Sequence, residues 1–455
     1  MAYMPSARRK TKGRQMKFGS FSPGLKVPAL HVLSSDDVPL YFDMNNLTPK
    51  QQADHYEMCT LVSMLQVCLM GISKPEDYIA MFGGVEQEPF KTLLPRYNAM
   101  MQQVGLTVVP MDHLIPAPVD SFYEDIATKI PDVDIVDFLM VSRSNEMIHN
   151  NQAAIEMILK LNSKVHFAQN APGFGIPVPE SLAVVPPLTG NAEAEALFER
   201  HNGNIMMKLD GMPGGRNVIS VGSIAEAQQI LDEVYPDASG LVLQQKLDLS
   251  HFDEWTVDLL VSDDGITLDN TRHILIHDGN WVGNHFPPQS PLTPEQEAIL
   301  LNVGEYARSF GYGTAEGSNM GIDYFIGHDG EIIVTEINPR WTAGLLPSEI
   351  LKRLGDTGGH ANDHKIGYFD MIRVEDYEDY LAYVEQRLPG MREASFDLMP
   401  IGFSPFEVEM GGEKMFSVWL IIRGDFAAYR NEVRETFGTR NFAGADLIPI
   451  EALTS

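Results

Sequence analysis

In the stretch Gly321-Ile-Asp-Tyr-Phe-Ile-Gly-His-Asp-Gly-Glu-Ile-Ile-Val-Thr-Glu-Ile-Asn-Pro-Arg340, three oxygen-bearing side chains are spaced so that a simple fold brings them together. Asp329-Gly330 is a two-residue turn signal between apolar runs and predicts a tight β-hairpin. Residues equidistant from that turn face each other, which sets Asp323 across from Glu336. Asn338 then lies on the same face two residues on. Directly opposed Cβ atoms sit roughly 5 Å apart, and like charges there repel. The pairing makes physical sense with a cation between the carboxylates. Oxygen ligands from Asp, Glu and Asn suit Mg2+, or Mn2+ in its place, an ion that keeps several waters and bridges to nucleotide phosphates. A surface hairpin with scattered polar residues is the competing reading, and the neighbouring text bears on the choice.

Upstream, residues 204–221 read as two strands joined by a Gly-rich loop. Lys208 ends an otherwise apolar strand, and a buried ammonium needs an anion. Gly211, Gly214 and Gly215 would let backbone N–H groups approach phosphate oxygens that side chains would keep away. Arg340 carries a planar fork suited to carboxylate or phosphate. Arg272, in Asp269-Asn-Thr-Arg-His273, reaches a phosphate or substrate if its strand points that way; a surface arginine is the alternative.

These residues need elements to hold them. Residues 26–150 read as an α/β unit, with strands at Pro28–Leu33, Val38–Phe42, Leu106–Met111 and Ile135–Val141. A helix starts at Thr48-Pro-Lys-Gln51 as a capping box with Pro in its first turn and stops at Gly71. Strands alternating with helices imply a mainly parallel sheet. Further on come helices Gln152–Leu161 and Ile224–Val234, a strand Leu241–Lys246, and a strand in Glu254–Val261. A second capping box, Thr293-Pro-Glu-Gln296, opens a helix that ends near Gly311. The last hundred residues offer a helix at Asp376–Gln386, a strand at Phe416–Ile422, and a helix at Asp425–Phe437 closed by Gly438.

Bulk composition narrows the function classes. A chain of 455 residues, 44% hydrophobic and 21% charged, is long enough for two or three packed units. Its formal charge of −29 argues against nonspecific nucleic-acid binding and adhesion to anionic membranes. Only Cys59 and Cys68 occur, so there is no disulfide framework or Cys-based zinc spacing, and a reducing cytoplasm is the expected setting. The longest apolar run, Cys59–Met70, is too short and interrupted to span a bilayer. The first 17 residues carry six basic side chains and no acid, and residues 1–25 are expected to be a basic flexible tail. No Gly-x4-Gly-Lys-Ser/Thr loop, His-Arg-Asp loop or Gly-x-Gly-x-x-Gly turn after a strand occurs.

The Glu336-Ile-Asn-Pro-Arg340 run, preceded by Asp323, resembles the metal-binding end of the ATP-grasp fold. There an acid on one strand is followed about 13 residues later by Glu-x-Asn on the next. The resemblance covers roughly residues 150–350 and keeps the family's order. Asn162-Ser-Lys164 with Gly175-Ile-Pro-Val-Pro179 is similar to the entry into the central lobe. The strand, Lys208, Gly-rich loop, strand order is similar to the grip on the α- and β-phosphates. The resemblance implies an ATP-grasp fold of two α+β lobes gripping ATP, preceded by an α/β domain at 26–150. The core would occupy 151–355, with the central lobe at about 165–245 and the C-terminal lobe from about 246. Residues 356–455 would complete that lobe or cap the substrate.

By the same resemblance, Lys164 and Lys208 face the ATP phosphates, Gln244-Gln245-Lys246 is the adenine hinge, and Glu254 takes the ribose hydroxyls. The family carries Glu in the hinge where this chain has Gln. Asp323, Glu336 and Asn338 hold Mg2+, and Arg340, Lys208 and Arg272 act on the reacting groups. Trp341-Thr-Ala-Gly-Leu-Leu-Pro-Ser348 looks similar to ligases joining amino acids or small peptides. The implied activity is ATP-dependent carboxylate–amine ligation through an acyl phosphate, with a carboxylate and an amine as small-molecule substrates and a homodimer as the family habit. A biotin-carboxylase-like or other acyl-phosphate enzyme, and a non-catalytic ATP-binding regulatory module, are the alternatives.

Overall fold

The structure, a computed structural model, describes residues 14–19, 21, 27–34, 49–83, 88, 90–139, 148–149, 151–209, 217–236, 238–277, 280–288, 290–355, 364–391, 395–410 and 412–438. The chain builds three sheets in sequence order. The first contains β1 (Gln15–Phe18), β2 (Ala29–Val32), β3 (Tyr78–Phe82), β4 (Leu114–Ala117) and β5 (Ile135–Phe138), all parallel and ordered β1-β5-β2-β3-β4. Helices α1 (Pro49–Ile72), α2 (Phe90–Gln103) and α3 (Phe122–Lys129) connect its strands. From Met58 onward α1 is apolar nearly all round and is buried to match.

Helix α4 (Gln152–Leu161), capped by the Asn151 side chain, turns at Asn162 into α5 (Lys164–Asn170), capped by Ser163. A four-stranded antiparallel sheet follows: β6 (Ser181–Val184), β7 (Ile205–Leu209), β8 (Val218–Val221) and β9 (Leu241–Gln245), in the order β6-β9-β7-β8. With α6 (Ala192–Arg200) and α7 (Ile224–Val234) it encloses its own small core around Leu197, Met207, Leu231 and Leu243.

The third sheet has eight strands: β10 (Phe252–Val261), β11 (Ile266–His277), β12 (Asn280–Phe286), β13 (Ser318–Gly327), β14 (Ile332–Asn338), β15 (Lys365–Arg373), β16 (Phe396–Met410) and β17 (Glu413–Gly424). Its order is β14-β13-β10-β11-β12-β15-β17-β16, with every pairing antiparallel. Helices α8 (Pro294–Ser309), α9 (Leu345–Arg353), α10 (Tyr377–Glu385) and α11 (Phe426–Phe437) pack around it. Thr293 and Gln296 form the expected capping box on α8. The core of this sheet runs continuously into that of the first. No helix among the described residues is long and apolar enough to cross a membrane.

Several expectations need correction. The basic tail assigned to residues 1–25 is not all tail: Gln15–Phe18 is β1, and Lys17 is buried with its ammonium 3.3 Å from Glu316. Gly71 does not stop α1, which continues to Ile72. A Cβ on Gly71 would meet Met101 Cε at 3.1 Å, so this glycine serves close packing rather than termination. The strand expected at Leu106–Met111 is an irregular segment, and pairing begins at Leu114, after a short turn at Met111–His113. Strand β3, Tyr78–Phe82, is not among the strands expected from the sequence. Val38–Phe42 and Thr48 lie outside the described residues. Among the described residues beyond 364, β15, β17 and β16 widen the third sheet, and β16 lies against α1.

Candidate active site

The hairpin β13–β14 places Asp323 directly opposite Glu336 and Gly321 opposite Asn338. It reaches this register by a different route from a two-residue turn. The turn is wider, with Gly327 N–H bonding to Glu331 O, and Tyr324 pairs with Val334. A β-bulge then inserts Thr335 between Val334 and Glu336 and restores the facing pair. The Thr335 hydroxyl donates to Asp323 O at 3.1 Å.

Pairing carries this row across four strands. One rung reads Glu336–Asp323–Thr256–Arg272 and the next Asn338–Gly321–Asp258–Asn270, on β14, β13, β10 and β11. Alternate residues share a face, so the eight side positions form one polar patch on the sheet. Asn338 Nδ2 donates to Asp323 Oδ2 at 3.1 Å, and the Thr256 hydroxyl also bonds to Asp323. Thr256 was not singled out by sequence; alternation along Glu254-Trp-Thr-Val-Asp258 is the signal that would have placed it here.

Cations approach this patch from two other elements. The α4–α5 corner delivers Lys164, whose Nζ is 3.1 Å from Glu336 Oε1, and Asn162, whose Oδ1 accepts from Arg340 Nη1 at 2.7 Å. Lys208 on β7 is buried, and its charge is felt by Glu254 and Glu336. Burial lowers the Lys208 pKa below the ordinary lysine value, with Glu336 opposing that trend. Burial alone would raise Glu336, but Lys164 and Lys208 hold it below the usual carboxylate value. Asp323 moves the other way: burial and then the Glu336 charge raise it. Glu254 is pushed up to about 7 by burial and then by Asp323. The three carboxylates and two lysines thus form one electrostatic cluster in which buried negative charge exceeds positive.

The oxygen set fits a hard divalent ion. Asp323, Glu336 and Asn338 converge on one face, and no group of three His, Cys, Asp or Glu side chains converges as a metal cage among the described residues. Two carboxylates and an amide suit an ion that completes its shell with phosphate oxygens and water.

Other expected residues are placed as follows. Arg272 is no surface arginine: it is 1% exposed, with Nη1 bonded to Asp258 and Asn270 and with its Nε lacking a partner. Gln244 is buried, and its side chain donates to Ser181 Oγ at 2.9 Å. The Gln245 N–H bonds to Glu180 O and the Lys246 N–H to Asn204 O, so two hinge donors are already spent within the protein. Lys246 Nζ reaches Ser220 Oγ at 3.0 Å. Gly211, Gly214 and Gly215 lie outside the described residues, between β7 and β8.

The first sheet meets this site at the carboxyl ends of its strands. A Cβ on Gly19, just after β1 and with φ +66°, would sit 3.3 Å from Arg340 Cα; the Trp341 N–H bonds to Leu139 O just after β5.

No family model matches this chain, and no curated protein matches its sequence. Solved structures do. N5-carboxyaminoimidazole synthetase from Staphylococcus aureus, complexed with ADP, superposes with a TM-score of 0.52 at 10% identity, covering 92% of this chain and 99% of that one. Carboxyaminoimidazole ribonucleotide synthase from Aspergillus clavatus, complexed with ATP, gives 0.51 at 14% identity over 90% and 96% of the two chains. The Aspergillus clavatus enzyme with ADP and 5-aminoimidazole ribonucleotide gives 0.50 at 13% identity over 94% and 99%. At these identities the likeness establishes the fold.

Proposed function

On the premise that this chain has the ATP-grasp fold, we propose that it is an ATP-dependent carboxylate–amine ligase, with an amino acid or small peptide as the substrate class. The observation that carries this reading is the facing pair Asp323 and Glu336 with Lys164 against Glu336 and Lys208 beside it. Structures with this fold have been obtained with ATP and with ADP, which supports a nucleotide in the same cleft.

In this reading Lys164 and Lys208 lie along the phosphates, and the Gly211, Gly214 and Gly215 loop covers them with backbone N–H groups. Residues 244–246 meet the base, and Glu254 takes the ribose. Mg2+ held by Asp323, Glu336 and Asn338 would supply charge neutralisation at the phosphate oxygens. Arg340, fixed by Asn162, and Arg272 orient the acid. A carboxylate oxygen attacks the γ-phosphorus and ADP leaves; the amine then attacks the acyl carbon, phosphate leaves, and the amine proton passes to solvent. Nothing in this sequence requires a covalent enzyme intermediate. The protein supplies positioning and fixed charge.

The test is ADP release with pooled amino acids and small peptides as acid and amine, bicarbonate being included among the acids, followed by mass analysis of the product. Amine-dependent release that vanishes in Asp323→Asn and Glu336→Gln supports the proposal. Full activity in both variants removes the metal assignment, and turnover that needs bicarbonate but no amine moves the enzyme to the carboxylase-like class.

A further inference from the structure

Asp258 is fully buried at the centre of the polar patch, yet it belongs to none of the phosphate, metal or base contacts assigned above. One carboxylate oxygen accepts from Arg272 Nη1; the other accepts from the Thr342 hydroxyl at 2.7 Å. Thr342 lies two residues past Arg340, in the segment leading from the metal hairpin into α9. Asp258 therefore ties the strand that carries Arg272 to the loop that follows the metal ligands.

Two glycines make this geometry possible. A Cβ on Gly321 would fall 2.5 Å from Thr342 Cγ2 and 3.4 Å from Asp258 Oδ1, closing the path between them. A Cβ on Gly344 would fall 2.4 Å from Arg272 Nε and 2.7 Å from Nη2, displacing the guanidinium. Arg272 is thus held at Nη1 by Asp258 and Asn270 and covered by Gly344, while its Nε has no hydrogen-bond partner among the described residues. A guanidinium fastened through one nitrogen presents its remaining donors in a fixed direction.

We propose that Asp258 is a positioning residue for the ligation reaction: it fixes the Arg272 guanidinium and, through Thr342, the loop beyond the metal hairpin, so that both meet the activated acid together. The inference rests on the ligase reading above. Its role is exerted through Arg272 and Thr342 and not by contact with substrate.

The experiment compares wild type, Asp258→Asn, Arg272→Gln, the double variant Asp258→Asn/Arg272→Gln, and Thr342→Val. Each is checked by thermal melting and by MgADP binding before ADP release is measured with the substrate pool. Asp258→Asn should lower kcat by about tenfold or more, with the KM for ATP within about threefold. The double variant should be slower than Arg272→Gln alone by no more than the loss seen in Thr342→Val, because only the Thr342 tie is then left for Asp258 to hold. Thr342→Val, which keeps the buried ion pair and so tests the tie even if Asp258→Asn folds poorly, should lower kcat by about threefold or more. Multiplicative losses in the double variant, or unchanged kcat in Asp258→Asn and Thr342→Val, overturn the inference while leaving the ligase intact. A wild-type chain that binds no MgADP and releases no ADP overturns the ligase reading, and this inference with it.

Discussion

Lys164 Nζ lies 3.1 Å from Glu336 Oε1, although one residue starts helix α5 and the other lies in β14 of the third sheet. The contact ties the α4–α5 corner to the β13–β14 hairpin. Replacing Lys164 by Met removes the nearest cation from a buried carboxylate, whose pKa then rises under burial. MgATP affinity should fall about tenfold, read by calorimetric titration, with the melting temperature little changed. Affinity within twofold of wild type would separate Lys164 from the phosphates.

His31 gives the fold a dependence on pH. Its Nε2 lies 3.3 Å from Asp77 Oδ2 and its Nδ1 3.6 Å from Asp137 Oδ2, all three groups being buried, with Lys17 in strand register with Asp137 and the Phe21 ring alongside. Burial alone would lower His31; the two carboxylates more than reverse it, so the folded pKa is raised. The stabilisation is therefore complete below about pH 6.5 and is lost as pH rises through the folded value. Asp77 has the opposite sign: His31 holds it below its ordinary value, so its contribution fades in acid. Urea denaturation from about pH 6 to about pH 9 should show stability declining in the wild type and a flatter profile in His31→Gln. Parallel profiles would exclude His31 as the source.

Packing between the first and last parts of the chain predicts a stability effect far from the chemistry. A Cβ on Gly402 of β16 would sit 2.4 Å from Met64 O and 2.8 Å from Cys68 Sγ on α1. Gly402→Ala should cost about 1–3 kcal/mol by overpacking, measured by chemical denaturation, with ADP release at permissive temperature retained. A neutral substitution would mean that α1 and β16 separate readily.

The site was legible from the sequence because its signal is local. Asp323, Glu336 and Asn338 sit within one hairpin, so their approach is local, although the wider turn and the bulge at Thr335, not the expected two-residue turn, set the facing pair. Helices with caps, such as Gln152–Leu161 and Ile224–Val234, were legible for the same reason. What escaped depends on pairing between distant strands. Asp258 and Thr256 acquire meaning only once β10 lies between β11 and β13, and β3 reads as a strand only inside a parallel sheet. Lys17 looked like one charge in a basic tail, since nothing local announces that β1 will join a sheet and bring it to Glu316.

The bulge at Thr335 supplies a direct test of register. Ahead of it, Tyr324 pairs with Val334; beyond it, Asp323 pairs with Glu336, so Thr335 is the added residue. Deleting Thr335 should leave a regular ladder in which Glu336 still faces Asp323, because Val334 keeps its partner. The loss would be local twist and the 3.1 Å hydroxyl bond to Asp323 O. Inserting an Ala between Thr335 and Glu336 should instead turn Glu336 and Asn338 to the far face of the sheet. The deletion should retain a melting-temperature increase on adding MgADP, and the insertion should abolish it. If both variants lose the response, the bulge itself shapes the site; if both keep it, nucleotide binding does not depend on the facing of Asp323 and Glu336.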